Sequence, residues 1–190
     1  MDLKRLWRTF RLWTSRNRSD YIRRAHIFAE FGAHSTMSAR RIPLYPELIS
    51  IGNNVRLAAN VSVIPHDMIH AMLNHCVEGA AYREYMGCIR IDDNVFVGAN
   101  STILADVHIG SNVVIGAGTL VNKDLEGGYV YAGVPAKKIC SFEEFIAKRS
   151  QSVTYPEGMK RNGDSVEREL AAYLWNEFRE KRQKEIGENV

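Results

Sequence analysis

The sequence predicts an all-β core, a parallel β-helix of six-residue repeats, with α-helical appendages at both ends. Three observations carry that expectation. Ile91, Val97, Ile103, Ile109, Ile115 and Val121 stand six residues apart and are all β-branched, and Gly98, Gly110 and Gly116 directly follow three of them. Residues 1–30 are basic, with apolar residues at helical spacing, and residues 141–190 open on a helix-capping pattern.

The N-terminal segment comes first. Residues 1–24 carry Lys4, Arg5, Arg8, Arg11, Arg16, Arg18, Arg23 and Arg24 against only Asp2 and Asp20. Leu3, Leu6, Trp7, Phe10 and Trp13 recur at helical spacing, which marks an amphipathic helix. Its apolar face is expected to dock on the rest of the fold. Peripheral contact with an anionic membrane surface, which Trp and Arg suit, is the second reading.

Residues 31–140 form the repeat region. Six is an even multiple of the strand period and a poor multiple of 3.6, so residues six apart share one face of an extended chain. Val95, Ser101, Val107, Val113 and Thr119 keep the same parity and should also point inward. Between them stand Asp93 with Asn94, Gly98 to Asn100, Gly110 to Asn112 and Gly116 to Gly118, residue types that bend the chain at low cost. Three bends close a coil, giving eighteen residues per turn. A weaker copy runs through Ile51, Leu57 and Val63, with Val55 and Val61 as inward companions and Gly52 and Asn60 at turns.

The interval from Val63 to Ile91 is not a multiple of six. An insertion from His66 to Cys88 accounts for it, and it holds three of the chain's six histidines. A loop that long inside a compact repeat is usually functional.

After residue 140 the signals are helical. Ser141 with Glu144, and Asp164 with Glu167, resemble capping boxes. Val166, Leu170, Tyr173, Leu174 and Phe178 are expected to form the apolar face of the longer helix, and residues 150–163 read as a linker. A β-helix leaves strand edges open at both ends, and the terminal helices are expected to cover them.

Composition excludes several classes. Cys76, Cys88 and Cys140 are too few and too scattered for a disulfide framework or a CxxC zinc site. The N-terminal segment has no apolar h-region, and no stretch approaches the roughly twenty apolar residues of a membrane span. A reduced, cytoplasmic protein is expected. With a net charge of +3 and no recognition motif, nucleic-acid binding is not.

The stretch IDDNVFVGANSTILADVHIGSNVVIGAGTLVNKD followed by YAGVPAKKI resembles the C-terminal coils of the hexapeptide-repeat O-acetyltransferases, the group of maltose, galactoside, xenobiotic and capsular-polysaccharide acetyltransferases. The resemblance spans about residues 45 to 140. It implies a left-handed β-helix, a homotrimer with active sites at subunit interfaces, and acetyl-CoA as cosubstrate.

The chemistry implied needs a base for the attacking hydroxyl and donors for an oxyanion, and it requires no metal. Histidine is the natural base. His66, at the exit from a coil and the start of the insertion, matches the family's catalytic histidine. Asp67 is the candidate to orient it, with Asn60, Glu78 and Glu84 as other candidates. Along the cofactor, the resemblance assigns main-chain contacts to Ala99 and Ala117, further contacts to Asn122 and Lys123, and a basic contact over the nucleotide to Lys137. Cys140 stands where some relatives carry another arginine. His70, His75, Tyr82 and Tyr85 belong to the insertion, which is expected to shape the acceptor pocket or to pin itself to a neighbouring subunit. His108 is expected to be surface.

The expected activity is acetyl transfer to a hydroxyl of a carbohydrate acceptor. An N-acetyltransferase on an amino sugar needs the same machinery. A γ-type carbonic anhydrase and a non-enzymatic scaffold are the other readings of a β-helix.

Overall fold

The computed structural model describes residues 3–15, 17–38, 41–150, 155–163 and 165–187. The chain divides into two compact units, Met1–Ala147 and Lys148–Val190.

The first unit opens with α1 (Leu3–Thr14) and α2 (Arg18–Arg24). Thirteen strands follow. They are β1 (Glu30–Phe31), β2 (Thr36–Met37), β3 (Ile49–Ile51), β4 (Arg56–Leu57) and β5 (Ser62–Ile64), then, after α3 (Ile69–Cys76), β6 (Ile89–Ile91), β7 (Val95–Val97), β8 (Thr102–Leu104), β9 (Val107–Ile109), β10 (Val113–Ile115), β11 (Leu120–Val121), β12 (Tyr129–Ala132) and β13 (Lys137–Ser141). They form three sheets, ordered β1-β3-β6-β9, β2-β4-β7-β10-β12-β13 and β5-β8-β11. Every pairing among β1 to β12 is parallel, so the chain visits the three faces in turn and stacks on itself. This is a parallel β-helix. Ile89 pairs with Val107, Val95 with Val113 and Thr102 with Leu120, which is the eighteen-residue coil expected from the period.

The inward face follows the period. Ile91, Val97, Ile103, Ile109, Ile115 and Val121 are buried, as are the companions Val95, Val107 and Val113. Each such side chain contributes roughly 1.5–3 kcal/mol when fully buried. The two polar companions are also inside, and their hydroxyls are satisfied: Ser101 Oγ and Thr119 Oγ1 both donate to the Gly116 carbonyl, at 3.0 and 2.7 Å. A buried hydroxyl without such a partner would be costly.

The corners explain the Asn and Gly. Asn54, Asn94 and Asn112 occupy one corner of successive coils at φ of 52°, 59° and 58°, a region open to few residue types. Their side chains form a ladder, with Asn54 Nδ2 donating to Asn94 Oδ1 at 2.9 Å and Asn94 Nδ2 to Asn112 Oδ1 at 3.1 Å. Gly98 answers a different need. A Cβ there would lie 2.4 Å from the Ala117 nitrogen of the coil above.

Both ends of the coil are covered. α2 packs on β1 and β2 at the first coil. At the other end β13 pairs antiparallel with β12, so a strand rather than a terminal helix closes the second sheet. Helix α4 (Phe142–Ser150) then starts with the expected capping box: the Ser141 amide donates to Glu144 Oε2 at 2.9 Å and the Glu144 amide to Ser141 Oγ at 3.1 Å.

The expectation for α1 is overturned. Leu3, Leu6, Trp7, Phe10 and Trp13 are all exposed, while Leu12, absent from that apolar set, is fully buried. The buried position lies on the side opposite its aromatic face, while Leu3 and Trp7 border a groove with Tyr21 and Ala25 of α2. The second unit also differs in detail. β14 (Arg161–Asn162) and β15 (Ser165–Val166) make a small antiparallel hairpin about Gly163, at φ 57°, so Val166 sits in a strand and α5 (Arg168–Gly187) begins after it. Leu170 is buried, whereas Phe178 is exposed and meets Trp175 edge to face. Asp164, the expected cap, lies outside the described residues.

Gly98→Ala should test the stacking constraint. The added methyl meets backbone, which cannot swing aside, and a loss of about 1–3 kcal/mol in urea unfolding is expected.

Candidate active site

The site begins where the third sheet begins. Among the described residues β5 has no strand beneath it, although the first two sheets start one coil earlier, at β1 and β2. Pro43 and Pro46 lack the amide donors a strand there would need, and Tyr45 is left-handed at φ 49°. Residues 41–44 instead face β5 across a cavity of about 740 Å³. Its wall is mostly apolar, with Met37, Ile42, Leu57 and Val63, and Asn60 and His66 add polar groups. This is why Val63 is less buried than its counterparts in later coils.

His66 stands at the mouth of the insertion. The neck is a short antiparallel pairing in which His66 bridges Met86, the Asp67 amide donates to the Tyr85 carbonyl at 3.1 Å, and the Gly87 amide donates to the Pro65 carbonyl at 2.9 Å. This fastening fixes the backbone of His66 on both sides. Its Nδ1 is buried and has no hydrogen-bond partner. The Tyr45 ring meets the imidazole edge to face, with centroids 5.1 Å apart and planes at 86°. The Tyr45 hydroxyl donates to Glu84, at 3.0 and 3.2 Å from its two oxygens. That bond, partial burial and the carboxylate's charge hold the Tyr45 phenol above its ordinary pKa.

The other expected site residues fall in three groups. Asp67 accepts the Ile69 amide at 2.9 Å through Oδ1, starting α3. His70 and His75 lie on α3, where His70 Nδ1 is buried without a partner and His75 Nδ1 lies 2.6 Å from the Ala71 carbonyl oxygen. Tyr82 and Tyr85 project outward with Met68, Met72 and Met86, while Asn74 clamps the Tyr82 backbone from both sides, at 2.7 and 2.9 Å. Glu84, one of the candidate partners of His66, meets Tyr45 instead. Among the described residues no three His, Cys, Asp or Glu side chains converge as a metal-binding set.

The expected cofactor residues lie on later coils. Ala99 and Ala117 sit at one corner of successive coils, linked by the Gly118 amide donating to the Ala99 carbonyl at 2.8 Å. Among the described residues their own amides donate to no group, which leaves two backbone donors beside small side chains. Asn122, Lys123 and Lys137 are exposed. Lys138 is engaged, 2.6 Å from Glu126 and over the Tyr129 ring. His108 is on the outer face, its Nε2 2.8 Å from Asp92 Oδ2.

Sequence reasoning missed Tyr45. The two prolines around it, where the repeat lapses, were the available signal.

A family model described as "Bacterial transferase hexapeptide (six repeats)" matches residues 89–123. YvoF of Bacillus subtilis (strain 168), whose name assigns it provisionally to the acetyltransferases, is 32% identical over 136 residues, 70% of this chain and 72% of the relative. A maltose O-acetyltransferase from Clostridium difficile 630 superposes with a TM-score of 0.56 at 25% identity, over 73% of this chain and 84% of that one. A galactoside acetyltransferase solved in complex with coenzyme A shares the fold, with a TM-score of 0.51 at 23% identity over 82% and 85% of the two chains. This chain belongs to the hexapeptide-repeat acetyltransferases, and it is an acyltransferase.

Tyr45→Phe should loosen the insertion without moving its neck. It keeps the ring on His66 and removes the bond to Glu84, and amides of residues 68–84 should exchange several-fold faster by hydrogen-exchange mass spectrometry. A raised phenol pKa means that the tie is intact below about pH 10, the ordinary phenol value, and is lost as pH rises through the raised one. The difference between wild type and variant should vanish on that alkaline side.

Proposed function

We propose that this protein is an acetyl-CoA-dependent O-acetyltransferase that acts on a carbohydrate hydroxyl, with His66 as the general base. The observation that carries the reading is His66 itself: a histidine fastened between the two strands of a loop neck, on the wall of a cavity of about 740 Å³. Further support comes from the maltose and galactoside acetyltransferases that share the fold, the second of them in complex with coenzyme A.

In this reading the acceptor occupies the cavity, with a sugar ring against the apolar wall and its polar edge toward Asn60 and His66. Acetyl-CoA supplies an activated thioester. His66 takes the proton from the acceptor hydroxyl as its oxygen attacks the thioester carbon, and the Ala99 amide donates to the oxyanion. Collapse of the tetrahedral intermediate breaks the carbon–sulfur bond, and the proton held on His66 passes to the departing thiolate. A general base of this kind contributes roughly 10²- to 10⁴-fold, and an oxyanion donor roughly 10²- to 10³-fold. Asp67, bonded to the Ile69 amide, acts in this scheme by fixing the backbone next to the base.

Asn122, Lys123 and Lys137 fit the cosubstrate by chemistry. The lysines are exposed cations suited to phosphates, and Ala99 and Ala117 offer amides that no described residue accepts, beside a surface that small side chains keep open. The proposal includes a left-handed coil, a homotrimer in which neighbouring subunits share each site, and a cytoplasmic setting. The exposed Met68, Met72, Tyr82, Tyr85 and Met86 on the insertion give an apolar surface for such a neighbour.

Thiol release from acetyl-CoA is to be measured against a panel of mono- and oligosaccharides. His66→Ala should lower kcat by 10²-fold or more while coenzyme A still binds; undiminished turnover would remove His66 from the mechanism. Lys123→Gln and Lys137→Gln should each raise KM for acetyl-CoA about three- to tenfold with kcat nearly unchanged, as expected for groups that bind without reacting.

A further inference from the structure

The proposed chemistry leaves α1 unexplained. At about 100° per residue, Trp13, Leu6, Phe10, Leu3 and Trp7 fall within an arc of about 120°, and Leu12 lies about opposite Leu3. Leu12 is the residue that docks, at 0% exposure, whereas Trp7, Phe10 and Trp13 are each 60% exposed. An amphipathic helix ordinarily turns its apolar face to the core. Here that face is largely exposed, although Leu3 and Trp7 border a groove with Tyr21 and Ala25 of α2.

The charge around that face is of one sign. Arg11 borders the arc, about 40° beyond Trp7, and lies over the Trp7 ring at 5.1 Å, while Arg8 falls nearer Leu12; the helix sequence, which also holds Lys4 and Arg5, contains no Asp or Glu. The same face on a second copy would set arginine against arginine. An anionic surface that is apolar beneath its charged layer satisfies both halves of the pattern. Tryptophan and arginine are suited to that boundary, Trp by its amphipathic ring and Arg by a long stem with a charged tip.

We propose that α1 is a peripheral membrane anchor, lying in the interface of an anionic lipid bilayer with Trp7, Phe10 and Trp13 among the acyl chains and Arg11 at the headgroups. Among the described residues no helix is long and apolar enough to cross a membrane, so the contact is with one leaflet. The inference does not depend on the catalytic reading.

The test uses the full chain and two vesicle types, phosphatidylcholine containing phosphatidylglycerol, and phosphatidylcholine alone. Binding is read by co-flotation and by the blue shift of Trp emission, to which two of the chain's three tryptophans should contribute. Binding to the anionic vesicles should be at least about tenfold tighter and should weaken as salt rises. Trp7→Ser with Trp13→Ser should weaken it about tenfold or more on both vesicle types. Arg11→Gln should weaken it about fivefold on anionic vesicles alone. Arg11→Gln leaves Trp7, Phe10 and Trp13 in place, so it tests the charge requirement even if the tryptophan pair disturbs folding. Absence of binding to anionic vesicles overturns the proposal. So does a change of oligomeric size in the tryptophan variant with vesicle binding intact, which would assign the face to another copy of this chain.

Discussion

The distance between successive coils governs the molecule. Parallel strands bond only when their backbones lie about 4.8 Å apart, so each corner must turn without lifting the chain off the turn beneath it. Left-handed Asn54, Asn94 and Asn112 meet that demand by conformation, and Gly98 meets it by having no side chain against Ala117. Inward Ile and Val then need only fill a cross-section the backbone has already set. The active-site machinery proposed here hangs from the same corners. Ala99 and Ala117 are corner residues, and His66 leaves the coil where its third corner opens into the insertion.

The coil was legible because its constraint repeats. Any residue six places from Ile103 meets the same neighbours, so Ile91 through Val121 could be assigned inward from spacing alone. The insertion was legible by default, as the place where the period fails, and its first residue is His66, the base proposed above. The Tyr45 contact was not legible. It joins Tyr45 to Glu84, 39 residues on, and both lie where the repeat lapses, so no period predicts either position. The spacing of Leu3, Leu6, Trp7, Phe10 and Trp13 identified a shared face, but spacing says which side chains travel together and nothing of the direction they point. Direction depends on what the helix meets, and here Leu12, outside the apolar set, is the side chain that is buried. Val166 failed for a local reason: Gly163 closes a hairpin too short to register as alternation, so an apolar residue before the helix read as part of it.

The insertion and the coil are mechanically separate. Two backbone hydrogen bonds and one bridge close the neck at residues 65–67 and 85–87, and coil residues before and after it pair as though nothing intervened, Ile49 with Ile89 and Ile51 with Ile91. Tyr45 supplies the added constraint, reaching from the segment below β5 to hold Glu84 from outside the loop. Because loop-closure entropy grows slowly with length, residues beyond the neck can vary with small cost to the stack, while a change at the neck would displace His66 itself.

A stack of parallel strands has no intrinsic length, since each turn offers the next the same row of donors and acceptors. In this chain β13 reverses direction and occupies the row that β12 would otherwise present, with Lys137 and Lys138 exposed along it. An incoming coil from another molecule would meet an antiparallel strand of the wrong polarity studded with positive charge. On the second sheet the hairpin therefore acts as a chain terminator, ending there the parallel row along which a fold with a fibre's repeating geometry would grow.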